Sequence, residues 1–188
     1  MGENTVHELI RRSQVEDSMK QEFEQTLSDR VTRYLQVKPH EIVPYTHFSV
    51  ASAECSLLFR DGHFYGCIAL TQAVAEGLVR FLCQSNSWKP DNDFERNVND
   101  LHGRNFISDK LKASLLKIWE RRNDYHHLKP TVKTDRQALE ELAREKAGLL
   151  AEIESEVFHF TVVKGKIIPK YPKYWKASGN QVFLRFEP

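Results

Sequence analysis

Between residues 4 and 36 the chain carries neither glycine nor proline, and Met19, Phe23, Leu27 and Val31 recur at every fourth position. With no breaker and one apolar residue per turn, this stretch predicts a long amphipathic helix. Tyr34 and Leu35 continue the stripe; the first half is more polar, with Val6, Leu9 and Ile10 ahead of a polar run. Lys38-Pro39 and Pro44 end the helix, because proline disfavours helical geometry in the residue before it. The stripe suits two partners equally: the body of the same chain, or a twin copy in a dimer.

Further helical patterns follow. One covers 47–60, closed by the Asp61-Gly62 turn. The next, 63–86, is the expected core element: Ile68, Leu70, Val74, Leu78, Val79, Phe81 and Leu82 form a broad apolar face, and Ala69, Ala73, Ala75 and Gly77 permit close helix approach. A short helix spans 93–102 and stops at Gly103. Ser108 and Asp109 suit a helix start, from which Leu111, Leu115, Ile118 and Trp119 lead toward a polar cluster closed by Lys129-Pro130. Asp135 opens a last helix, 135–157. Beyond Val157 the period changes to alternation around Lys164-Gly165, which predicts a β-hairpin, and Gln181–Phe186 adds a candidate strand. The expected fold is mainly α: an N-terminal helix and linker (1–46), a helical bundle (47–157), and a C-terminal β-hairpin with a basic-aromatic tail (158–188).

Lysine plus arginine number 27 and aspartate plus glutamate 26, a formal net charge of +1, so no global field draws in polyanions and any such site is local. Cys55, Cys67 and Cys83 form no CxxC pair and read as small buried residues of a reducing compartment. The first residues show no basic segment followed by an apolar run, and Glu76 and Arg80 interrupt the most apolar stretch, 65–82. The expectation is a soluble cytoplasmic protein that uses no membrane.

The chemistry-bearing segment is Glu120-Arg121-Arg122-Asn123-Asp124-Tyr125-His126-His127-Leu128-Lys129-Pro130. Arginine keeps its charge and histidine titrates near neutrality, the two properties that metal-free phosphodiester cleavage requires. Arg122, followed directly by Asn123 and after four residues by His127, resembles the signature of the HEPN superfamily. That is an arginine, usually followed by Asn, Asp or His, then a histidine after four to six intervening residues. The order of helices across 47–157 matches as well. Arg121 and His126 offer an alternative register as supporting residues, and Arg96-Asn97 with His102 is a second hit. On an ideal helix, Arg122 and His126 share a face whereas Arg122 and His127 point about 140° apart.

The resemblance implies a metal-independent endoribonuclease of toxin or antiphage-defence type. A ribose 2′-hydroxyl attacks the adjacent phosphate, leaving a 2′,3′-cyclic phosphate, with no cofactor and no metal. His127 serves as general base or acid, Arg122 holds the phosphate, and Asn123 orients either. It also implies a homodimer and an antitoxin or defence-complex partner. Members controlled by a nucleotidyltransferase antitoxin carry tyrosine two residues after the histidine, where this chain has Lys129. Two other readings stand beside this one. The basic residues complement the negative end of a helix dipole, or the fold serves as a noncatalytic interaction subunit.

A second candidate is the acid-free segment 164–176. Lys164, Lys166, Lys170, Lys173 and Lys176 interleave there with Tyr171, Tyr174 and Trp175, suiting RNA through phosphate contacts and base stacking. The alternative is a hairpin whose aromatics pack back on the bundle. No HExxH, spaced Cys/His set or glycine-rich phosphate loop occurs.

Overall fold

The structure is a computed structural model that describes residues 2–175 and 181–185. It is mainly helical, with two short antiparallel strand pairs. In chain order the elements are α1 (Gly2–Gln36), β1 (Ile42–Pro44), α2 (Ser49–Arg60), α3 (Phe64–Ser85), α4 (Phe94–Gly103), α5 (Asp109–Trp119), α6 (Arg122–His126), α7 (Arg136–Val157), β2 (Phe160–Val163), β3 (Lys166–Pro169), a single 3-10 turn (Pro172–Tyr174), and β4 (Val182–Leu184).

α3 is the hub, packed against α7 and α2 and touching α4, α5 and α6. Its expected apolar face is buried except for Leu70, which packs at the edge of the core. At Gly77 a Cβ would stand 3.2 Å from Cβ of Phe48. Glycine there is what lets the start of α2 sit against α3. α3 is long and apolar enough to cross a membrane, but 61% of that window is buried inside the protein, as in a core helix.

α4, α5 and α7 each begin on a side chain that bonds a backbone N–H three residues on. Asp93, Ser108 and Asp135 accept from Arg96, Leu111 and Ala138, satisfying donors that a helix start leaves open. The hairpin β2–β3 has Val163 opposite Lys166. Lys164 and Gly165 between them both lie at positive φ (51° and 74°), the two-residue turn whose twist matches the strands.

β1 was not anticipated. It pairs with β4, Ile42 opposite Leu184, so the expected linker and the expected tail form one small sheet. Val43, Trp175 and Tyr174 belong to the same core as the bundle. The expected strand over 181–186 is present as β4, with Phe186 outside the described residues. A buried ion pair fixes this corner. Arg185 donates to both carboxylate oxygens of Glu154 (2.6 and 2.9 Å), to Ser52 Oγ (2.6 Å) and to the His40 carbonyl (2.9 Å). Burial also pushes the His40 imidazole below its usual range.

α1 docks through its C-terminal end alone. Arg30 bonds Asp61, Arg33 bonds Glu140 at 2.7 Å, and Val37 is buried. Hydrogen bonds from Arg60 and then Arg30 hold the Asp61 carboxyl below its usual range. Every described side chain from Thr5 to Gln25 is exposed. A period of four advances about 40° per step on a 3.6-residue helix. Leu27, Val31 and Leu35 therefore rotate off the face that carries Arg30, Arg33 and Val37, and they remain exposed.

Candidate active site

The helix expected to run from Ser108 into the arginine-histidine cluster is two helices. α5 stops at Trp119. Glu120 is extended, Arg121 takes a left-handed conformation (φ 61°), and α6 begins at Arg122. Leu128, just past α6, is also left-handed (φ 46°). Left-handed backbone is unfavourable for residues with a Cβ, so the surroundings must hold these two positions in place.

Two buried side chains hold the break. Lys146 of α7, 3% exposed, donates from Nζ to the carbonyls of Lys117 (2.6 Å) and Glu120 (3.3 Å). Gln72 of α3, fully buried, donates from Nε2 to the carbonyls of Ile118 and Glu120, both at 3.1 Å. Together they supply side-chain donors to the carbonyls at the end of α5, where the Lys117 carbonyl also accepts from the Glu120 N–H at 3.3 Å. A cation at that end also meets the negative pole of the helix dipole. Burial lowers the Lys146 pKa. Neither residue carries a sequence signal, because the partners are backbone carbonyls on another helix.

Arg121 is spent on structure. It reaches Asp124 (3.3 Å) and the Thr131 carbonyl (3.2 Å), and its guanidinium lies over the buried Tyr125 ring. Asp124 is held below its usual range by Lys129 first and Arg121 second.

Arg122 is half-buried with its guanidinium 5.1 Å from the Trp119 ring centre, and it donates to Asn123 Oδ1 at 3.3 Å. Trp119 in turn stacks on Phe94 at 4.1 Å, which gives the guanidinium a rigid floor. His126 lies four residues on, at the surface. Its pKa is lowered by desolvation first and then by the Arg122 charge, with His127 adding to the same effect and Glu76 opposing it. His127 caps α6 and is exposed. α6 packs against α3, and the charges of Arg122 and of Glu76 on α3 both act on His126, while His127 is exposed. Glu76 was legible only as a charge interrupting an apolar helix, four residues before its ion-pair partner Arg80 (2.9 Å).

The second hit is not assembled. Arg96 bonds Asp91 at 2.9 Å, and His102 bonds Asp109 at 2.7 Å on a different element. The 164–176 segment divides as well. Lys164, Lys166, Lys170 and Tyr171 are at the surface, with Lys170 over the Tyr171 ring. Lys173 donates to the Phe106 carbonyl at 2.6 Å and lies over the Phe106 and Tyr174 rings. Tyr174 is 5% exposed and donates its hydroxyl to the same carbonyl, its pKa pushed up to about 12 by burial; Trp175 is 8% exposed. This corrects the expectation of open stacking faces at Tyr174 and Trp175, whose rings pack into the core. Lys176 lies outside the described residues.

A largely apolar cavity of about 250 Å³ lies between α1, α2 and β4, lined by Tyr34, Val37, Leu57 and Phe183 among others. None of the residues that line it belongs to the arginine-histidine cluster. Among the described residues, no three His, Cys, Asp or Glu side chains are grouped as metal ligands. No protein-family model, curated protein or solved structure matches this chain.

Proposed function

We propose that this chain is a metal-independent endoribonuclease of HEPN type, with Arg122, His126 and His127 as its working groups. One observation carries the reading: Arg122 and His126 share a face of a five-residue helix set between two left-handed residues. Backbone held in unfavourable geometry concentrates where a site must be pre-shaped.

In this scheme the Arg122 guanidinium binds the scissile phosphate through paired hydrogen bonds and stabilises the charge that builds at phosphorus. Asn123, which accepts from Arg122, keeps that guanidinium oriented. His126, lowered toward its neutral form, takes the proton from the ribose 2′-hydroxyl. The 2′-oxygen bonds to phosphorus, and the bond to the 5′-oxygen breaks. His127, free at the rim, supplies a proton to the departing oxygen, leaving a 2′,3′-cyclic phosphate and a 5′-hydroxyl. The Lys164, Lys166 and Lys170 surface is an accessory phosphate contact.

The test is cleavage of an end-labelled RNA pool in excess EDTA by wild type, Arg122→Ala, His126→Ala and His127→Ala. Cyclic-phosphate ends are expected from wild type, with each histidine variant slower by ~10² to 10⁴ and Arg122→Ala by ~10² or more. Cleavage that survives Arg122→Ala, or that needs an added divalent ion, overturns the scheme. RNA left intact by a folded wild-type chain favours a noncatalytic interaction subunit, the reading that the bare face of α1 supports.

A further inference from the structure

We propose that α1 pairs antiparallel with α1 of a second copy of this chain, crossing near Asp17 to Met19. This is independent of the ribonuclease reading, since no residue of α1 enters that site.

The arm from Thr5 to Gln25 is about 30 Å of helix at 1.5 Å per residue; its side chains are exposed among the described residues, with only the Arg30 guanidinium of the same helix lying over the Phe23 ring. It nevertheless exposes large apolar side chains throughout: Val6 at 56%, Leu9 at 62%, Val15 at 50%, Met19 at 65% and Phe23 at 48%. An uncovered helix of this length is marginal in water, because most helical stability comes from packing an apolar face. The intrahelical ion pairs on the arm, Arg12–Glu16 at 3.0 Å and Lys20–Asp17 at 4.0 Å, are fully solvated and contribute only tenths of a kcal/mol each.

The order of charges says what covers it. Going along the arm, a basic pair (Arg11, Arg12) is followed by an acidic pair (Glu16, Asp17), then Lys20, then Glu22 and Glu24. A parallel, in-register pair would set Arg12 against Arg12 and Glu22 against Glu22 at the contact arc, which is unfavourable. An antiparallel pair centred near Asp17 sets Arg12 against Glu22 of the second copy, with Arg11 flanking, while Glu24 lies about 140° from Met19 and stays outside the contact. Two-fold symmetry makes that contact twice. The same centre brings Val15 and Met19 of the two copies together, within the arc of the helix shared by Val15, Met19 and Phe23. Because the full stripe winds about 40° per step, the apolar contact is a crossing at this arc and not a seam along the whole helix. The docked end of α1, with Arg30, Arg33 and Val37, is left undisturbed on each body.

Sedimentation equilibrium on the full chain tests this, with circular dichroism to verify that each variant is folded. Wild type is expected to be dimeric, and Met19→Asp with Phe23→Asp monomeric. Arg11→Glu with Arg12→Glu should weaken the dimer on the order of 10-fold or more, as should Glu22→Arg; combining all three should restore it, because the charges are exchanged and still opposed. A monomeric wild type would overturn the proposal and assign the arm to a different protein. A dimer indifferent to Met19→Asp with Phe23→Asp, or charge swaps that fail to rescue one another, would overturn it equally.

Discussion

α1 and α3 are the same kind of sequence object and have opposite fates. Both are long helices with an apolar stripe. α3 buries nearly all of its stripe between α2, α7 and α5, while α1 keeps Met19, Phe23, Leu27 and Val31 between 44% and 65% exposed. The difference lies in what surrounds each helix. α3 has small residues where neighbours approach, with Gly77 against Phe48, and neighbours on several sides. α1 meets the body over its last turns, through arginines that reach carboxylates, and its apolar residues rotate away from that contact. Periodicity therefore tells that a helix has a face to cover, and leaves open which molecule covers it.

The comparison breaks most directly at matched truncations. Leu78→Ala in α3, fully buried, is expected to cost ~2–5 kcal/mol by leaving a cavity. Phe23→Ala, measured in dilute monomer, should stay within about 0.5 kcal/mol. Chemical denaturation of the two variants checks this, and a comparable loss in Phe23→Ala would mean that the arm is covered in the monomer.

A smaller effect is expected at the support of the site. Lys146→Met removes two hydrogen bonds to the end of α5 and should cost ~1–3 kcal/mol. The readout specific to this role is hydrogen exchange, which should quicken from Trp119 to His127 and not in α1. Uniform quickening would make Lys146 a general core residue.

The smallest is at the base of α1. Asp61→Asn should cost ~1 kcal/mol and loosen exchange in the last turns of α1. Asp61 is lowered from 3.8 in the folded state by Arg60 and Arg30. The unfolded chain therefore binds the proton more readily as pH falls toward 4. The stabilisation is whole above that pH and is lost as pH drops through the folded value. Equal acid sensitivity of wild type and Asp61→Asn would remove Asp61 as the anchor.

Much of the body was legible. The bounds of α3, α4 and α7 fall within a residue or two of those expected from periodicity and capping residues, and Lys164-Gly165 located the hairpin turn. β1 left no trace, since three residues ending in Pro44 carry no alternation and its partner lies at the far end of the chain. The candidate site was half legible. The cluster of types around Arg122 was visible, but its register was not. The break at Arg121, which restarts the helix at Arg122, left no signal in the sequence.

What the sequence determined by itself was local: where helices start, where they stop, and that one arginine-histidine cluster follows a core helix. Those depend on interactions within a few residues, which composition and spacing record directly. Only the tertiary structure decided that Lys146 and Gln72 end α5, that Tyr174 and Trp175 are core, and that the stripe of α1 is bare. Each of these depends on groups distant in the chain coming within a few ångströms of one another, and no local pattern encodes that distance.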